Sequence, residues 1–431
     1  MSENPQTLLA KTFNSGFAQA HDSYNALSLA SNGNIYYILS SDKLDVAGQM
    51  YEFDPKTNQI LHLADLNDIC GETNKKHIPQ GKSHVSFYEY QQKLYFSTHI
   101  GYYQLIDGMD RLPIHAPDGY SLYSGGHILS YNLLSGEFED LALLPEGEGC
   151  VSMVMDIQRG HIFGITWPSG KLFYLDVKSR KLQLFPAVSG NGEAGTPGED
   201  FRSLCRSLLV NPHTGICYFS TSEGHIYQIN PDSWQVELIE QVHLRLDYFG
   251  QYHPQYPGNM GYNWRQIVWY VPEQVAYGVH GNSGYLFKFD PAHQRIELVD
   301  RITSIPSKKS GMFDQFSYGY LGFQLGPDGE TLYYLTGGPI FIDGKRLEGE
   351  KQIAKGAAKG LEYLHLITYH LPSQHYQDHG PIFYEDGNWP QYVNSIAIDY
   401  DGKVYALARV TRNKQIICDL IQINSSFNSP L

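Results

Sequence analysis

Residues 265–296 read RQIVWYVPEQVAYGVHGNSGYLFKFDPAHQRI. An apolar run of strand length (Arg265–Val271) is followed by a turn and a second β-rich run keyed by an aromatic at Tyr277. A third run, YLFKFD, then ends in an Asp-Pro turn before a fourth begins. This is one four-stranded antiparallel unit, and its second run recurs along the chain. NGNIYYILS, QQKLYFSTH, RGHIFGITW and TGICYFSTS carry the same pattern around Tyr36, Tyr95, Phe163 and Tyr218. EQVAYGVHG, GETLYYLTG and DGKVYALAR continue it around Tyr277, Tyr333 and Tyr405, with gaps of 55 to 72 residues. Such spacing leaves room for four strands per unit.

Seven radial four-stranded units make a seven-bladed β-propeller, an all-β fold that solves the sheet-edge problem by closing into a ring. The last unit shows only three clear strands, so LLAKTFNSG (residues 8–16) is expected to supply the fourth. Stacked β-sandwiches would not demand one motif throughout. Residues 1–431 therefore read as a single propeller domain. Insertions fall at about 101–126 in the second unit and 341–360 in the sixth, where KRLEGEKQIAKGAAKG reads as a short helix. Long loops on a rigid scaffold often carry recognition.

Composition narrows the function. The chain has 431 residues, 31 Lys plus Arg against 45 Asp plus Glu, and a formal charge of −14, which argues against nucleic-acid binding. With 18% charged and 13% aromatic residues, 33 tyrosines and 42 glycines, it suits turn-rich β structure. No membrane-spanning run is present. No leader segment is evident, so the chain reads as cytoplasmic; one secreted or periplasmic after leader removal would read the same. Five scattered cysteines without a C-x-x-C pair disfavour a disulfide framework or zinc ribbon.

In a propeller, the innermost strand of each blade begins on the face where the second strand ends. One register across the blades then collects Asn25, His84, Ser152, Arg206, Arg265, Tyr320 and Asn394 with Ser40, His99, Trp167, Ser222, His280, Gly337 and Arg409. Three histidines and three arginines around one axis describe a site for an anionic ligand, although any single member could merely satisfy blade-end carbonyls. The segment LRLDYFGQYHPQYPGNMGYNWR adds Tyr248, Tyr252, His253, Tyr256, Tyr262 and Trp264, flat surfaces suited to sugar rings or to interblade packing. Cys205, His253 and His280 approach the same face and are the candidate metal ligands. A divalent zinc, manganese or calcium ion is the one cofactor considered, without ligand spacing to support it, and no organic cofactor is expected. There is no G-x-S-x-G elbow, Walker loop or dinucleotide fingerprint. Ring positions hold no Asp or Glu, which disfavours paired-carboxylate hydrolysis.

KSHVSFYEYQQKLYFSTH, ITWPSGKLFYLD, YNWRQIVW and YGVHGNSGYLFKFD together resemble the seven-bladed propeller polysaccharide lyases, ulvan lyases first and oligogalacturonate lyase more distantly. The resemblance implies β-elimination on uronate-containing glycans, with a histidine and a tyrosine transferring protons. It carries the proton-transfer role onto His84 and His99, carboxylate neutralisation onto Arg206, and an adjacent aromatic hydroxyl onto Tyr248 or Tyr252. Trp167, Trp264, Arg265, Tyr320, Asn394 and Arg409 are the expected substrate contacts. The strand end that would present the family's tyrosine has Trp167 here, which cannot transfer a proton. The competing expectation is a non-catalytic propeller that binds carbohydrate or a protein partner through the same face. Neither reading involves nucleic acid or a membrane.

Overall fold

The structure, a computed structural model, describes residues 7–424 except 107–108, 247–251, 254–259, 281–282, 311–321, 348–361 and 392. Its described residues form seven four-stranded blades. Blade 1 comprises Leu27–Leu29, Ile35–Leu39, Gln49–Asp54 and Gln59–Asp65, and blade 2 comprises Tyr88–Tyr90, Lys93–Ser97, His127–Asn132 and Phe138–Leu143. Blade 3 runs from Gly149–Asp156 to Lys181–Phe185, blade 4 from Leu209–Val210 to Gln235–His243, and blade 5 from Trp264–Tyr270 to Arg295–Arg301. Blade 6 takes Phe323–Leu325, Thr331–Pro339, Glu362–His370 and His375–Tyr384.

Blade 7 closes the ring as the sequence implies. Its inner three strands are Ala397–Ile398, Val404–Arg412 and Gln415–Asn424, and its outermost strand is the N-terminal Leu8–Thr12, antiparallel to Gln415–Asn424 with Ala10 opposite Ile423. The same N-terminal strand also runs parallel to His375–Tyr384, so blades 6 and 7 join in one eight-stranded sheet.

Burial explains the recurring motif. All seven keyed aromatics lie in the second strand of a blade and all are buried. That strand is covered on both faces by neighbouring blades, so it reads as a continuous apolar run such as IYYIL, whereas an outer strand such as QILHLAD mixes polar with apolar residues and is mostly exposed or half-buried. Gly164 and Gly278 occupy equivalent second-strand positions. A Cβ there would stand 2.2 Å from the Phe173 ring and 2.4 Å from the Phe287 ring, so each glycine makes room for the aromatic of the third strand.

The first insertion forms a small hairpin, Gln104–Ile106 with Met109–Arg111. Arg111 donates to the carbonyls of Glu193 and Gly195, which ties this hairpin to the long connection between blades 3 and 4. In the second insertion, Phe341–Ile342 pairs with Lys345–Arg346. The helix expected in the lysine-rich stretch falls largely on 348–360, outside the described residues.

Candidate functional site at the propeller axis

The ring register converges on one pocket. Asn25, His84, His99, Trp167, Arg206, Arg265 and Asn394 all line it. Inner-strand starts and second-strand ends meet there because antiparallel strands of one blade bring those two termini to the same end.

An aromatic wall runs through the pocket. The Tyr24 and His84 rings lie 4.5 Å apart between centroids, His84 and His99 also 4.5 Å, and His99 and Trp167 5.2 Å. Tyr103 completes it, 5.3 Å from Trp167 in an edge-on arrangement. Gly149 is what admits the His99 ring, since a Cβ at that position would come within 2.8 Å of Nδ1.

Lys82 is the central cation, and it lies off the ring register. Its ammonium donates to the Tyr24 hydroxyl at 2.9 Å and sits 4.0 Å above the Tyr24 ring and 4.5 Å above that of Tyr103. Backbone geometry puts it there: Lys82 and His99 exchange main-chain hydrogen bonds as an isolated antiparallel bridge. The signal in the sequence was the spacing K-S-H, since residues two apart in an extended segment share a face. Tyr24 likewise stands one residue before Asn25, and Tyr103 and Asp110 belong to the hairpin of the first insertion.

Two carboxylates enter from outside the blades, Asp110 from the hairpin of the first insertion and Glu193 from a short 3-10 turn between blades 3 and 4. Glu193 accepts from the Trp167 indole at 2.9 Å, from Arg206 Nη2 at 2.5 Å and from the Leu204 backbone N–H at 3.2 Å. Asp110 lines the pocket nearby. The three cations Lys82, Arg206 and Arg265 therefore outnumber the two carboxylates, in a chain that is otherwise strongly acidic.

Other expected site residues lie elsewhere. Trp264 is fully buried core, donating from its indole to the Ser207 carbonyl at 2.7 Å and packing on Phe287 and Phe289, so it presents no face to a ligand. Arg409 is held by Asp22 at 2.5 Å and is not a lining residue of the pocket. Tyr252 sits under the Arg202 guanidinium, 5.5 Å from its ring centre, away from the axial wall. Tyr248 and Tyr320 lie outside the described residues.

The metal candidates do not assemble. His253 is exposed, whereas Cys205 is buried, with its thiol directed to the Ser207 carbonyl at 3.1 Å and burial raising its pKa. His280 is completely buried between the Gly261 carbonyl at 3.2 Å and the Ser283 hydroxyl at 2.9 Å. Nε2 must donate to that carbonyl, so Nδ1 accepts from the serine. Desolvation lowers the ring's pKa to about 4, which keeps it neutral and structural. Among the described residues, no three His, Cys, Asp or Glu side chains are grouped to hold a metal ion.

Comparisons with known proteins define the fold and stop there. No family model matches the sequence, and no curated protein matches it. A solved protein from Lactobacillus plantarum superposes with a TM-score of 0.51 at 13% identity, covering 91% of this chain and 99% of its own. A Bacteroides uniformis protein provisionally named a 6-phosphogluconolactonase gives a TM-score of 0.48 at 13% identity, covering 97% and 100%. Hydrazine synthase from Kuenenia stuttgartiensis gives 0.44 at 10% identity, covering 74% and 73%. The chain is a seven-bladed β-propeller with a cation-rich, aromatic-walled pocket at its axis.

Proposed function

We propose that the axial pocket binds short uronate-containing oligosaccharides and cleaves them by β-elimination. The observation that carries this reading is the buried Lys82 ammonium, set 2.9 Å from the Tyr24 hydroxyl and beside the stacked His84–His99 pair. Elimination needs a cation to neutralise the uronate carboxylate, a base for the proton α to it, and an acid for the departing glycosidic oxygen.

On this reading, Lys82 and Arg265 take the carboxylate. Arg206, the first choice from sequence, already holds Glu193 on one edge of its guanidinium, so its role is to fix the Glu193–Trp167 side of the wall. Proton transfer falls to Tyr24 and the histidine pair: an ammonium beside the phenol stabilises negative charge on its oxygen, and imidazole exchanges protons near neutral pH. Tyr24 thus supplies the phenol that the Trp167 position lacks. Trp167 and Tyr103 offer π faces to the sugar's axial hydrogens. The pair of pocket carboxylates does not favour hydrolysis, because Glu193 already accepts three hydrogen bonds from protein groups.

The test is a near-ultraviolet assay for the unsaturated uronyl product with ulvan, pectate, alginate, glycosaminoglycans and their short oligomers, with and without added zinc, manganese or calcium. A product that vanishes in Lys82→Met, Tyr24→Phe and His84→Ala supports the assignment. Absence of product on every substrate, with calorimetric binding to one that Lys82→Met removes, instead selects the non-catalytic carbohydrate binder. Trp167 at the family's tyrosine position is the observation favouring that second reading.

A further inference from the structure

Blade 6 carries a second cavity, of about 510 Å³, that the axial pocket does not use. Its walls are almost wholly apolar: Pro306, Pro339, Pro381, Phe341, Tyr363 and Trp389 contribute most of them. Tyr363 and Trp389 meet edge to face at 5.1 Å between centroids, forming a fixed aromatic corner.

Among the described lining residues, Tyr363 and Trp389 carry a hydroxyl and an indole N–H, and His365 adds an imidazole whose surroundings fix its chemistry. His365 is 2% exposed, and its Nδ1 lies 3.0 Å from the Asp378 carboxylate, which is fully buried. Asp378 also accepts from the backbone N–H groups of Ile305 at 2.7 Å and Gly380 at 2.8 Å. Those hydrogen bonds outweigh burial and hold the carboxyl below its usual range, so it is an anion that can only accept. The ring proton therefore sits on Nδ1, and in the neutral ring Nε2 is a hydrogen-bond acceptor. Nε2 has no hydrogen-bond partner among the described residues. Gly338 keeps it uncovered, because a Cβ at that position would stand 2.6 Å from it.

We propose that this cavity is a binding site for a small neutral aromatic molecule bearing one hydrogen-bond donor, of the phenol or indole class. The aromatic corner and the prolines receive the ring, and Nε2 accepts from its O–H or N–H. An anionic ligand would meet the Asp378 charge behind the imidazole. A polyhydroxylated sugar would leave most of its hydroxyls unpaired against proline, isoleucine and leucine. The site is independent of the chemistry proposed at the axis.

The experiment titrates phenol, indole and toluene into the full chain, followed by calorimetry and by ligand-observed NMR, with Trp389→Ala and Gly338→Ala in parallel. Phenol and indole are expected to bind at least tenfold more tightly than toluene, which has the same ring and no donor. Trp389→Ala weakens both by a similar factor, and Gly338→Ala, by covering Nε2, erases the preference over toluene. Three results would each overturn the proposal: no saturable binding of phenol or indole, equal affinity for toluene, or phenol binding that Trp389→Ala leaves unchanged. The comparison of phenol with toluene on the unaltered protein keeps the test decisive if either variant fails to fold.

Discussion

Raising the pH from 6 to 9.5 should weaken the protein through one residue, His127. Its imidazole is nearly inaccessible, with Nδ1 2.7 Å from Asp140 and Nε2 3.2 Å from the buried Glu72. Burial alone would lower its pKa, but hydrogen bonds and Coulomb attraction from Asp140 and Glu72 raise it from the ordinary 6.5 to about 9. A group whose pKa is higher folded than unfolded contributes stability that is complete below the unfolded value and disappears as pH rises through the folded one. The window is therefore about pH 6.5 to 9. At about 1.4 kcal/mol per unit, and allowing for screening on the partly exposed Asp140 side, the loss is about 2–3 kcal/mol.

The assay is urea denaturation of the parent and of His127→Gln at half-unit pH steps. The parent's advantage over the variant should be largest at pH 6 and shrink by about 2–3 kcal/mol by pH 9.5. The difference between the two removes the contribution of buried tyrosines and cysteines, which titrate in both. An advantage that stays flat across the window would refute the charged-histidine account. The consequence reaches the axial pocket, because Glu72 accepts from Gln80, which is wholly buried and also receives the hydroxyls of Thr98 and Tyr123 at 2.7 Å each. Gln80 and Thr98 stand two and one residues before Lys82 and His99, so this network holds both site residues from behind.

Two further substitutions probe the fold and the corrected site. Phe13→Ala empties a buried contact with Phe53 just beyond the closing strand and should cost about 3–5 kcal/mol, and deletion of residues 1–16 should lower the melting temperature sharply; an unchanged melt in both would sink the closure. Trp264→Ala should likewise cost about 3–5 kcal/mol while leaving ligand affinity per folded molecule unaltered, whereas Trp167→Ala should weaken ligand binding, as calorimetry and thermal melts of the two variants would distinguish.

The fold was legible because a propeller repeats its physics. Each second strand is sandwiched between blades, so an aromatic at the same place was required seven times, and a missing fourth strand in the last unit pointed to the N-terminus. The site was legible only where it follows that repeat. His84, His99, Trp167, Arg206, Arg265 and Asn394 obey the register and meet in the pocket, but register says where a side chain begins and not which partner takes it. Arg409 obeys it too, yet Asp22 holds that side chain. Trp264 shows the complementary error: being one residue before Arg265, it points away from the axis and into the core. Lys82 and Glu193 sit on connections between or beside blades, where no periodicity reports position.

Those connections also resolve a tension in the charge. A chain of formal charge −14 repels a long polyanion at distances where individual side chains blur together, yet within the axial pocket three cations face two carboxylates. The Debye length is about 8 Å at physiological ionic strength, so a ligand small enough to lie inside the pocket feels Lys82 and Arg265 much more than the acidic exterior. A ligand extending over the blades feels both. On the proposed reading, this balance is the physical reason the pocket suits short uronate oligomers better than the parent polysaccharide. On that reading Glu193 also acts on the charge of the pocket, because its pairing with Arg206 lowers the net positive charge there.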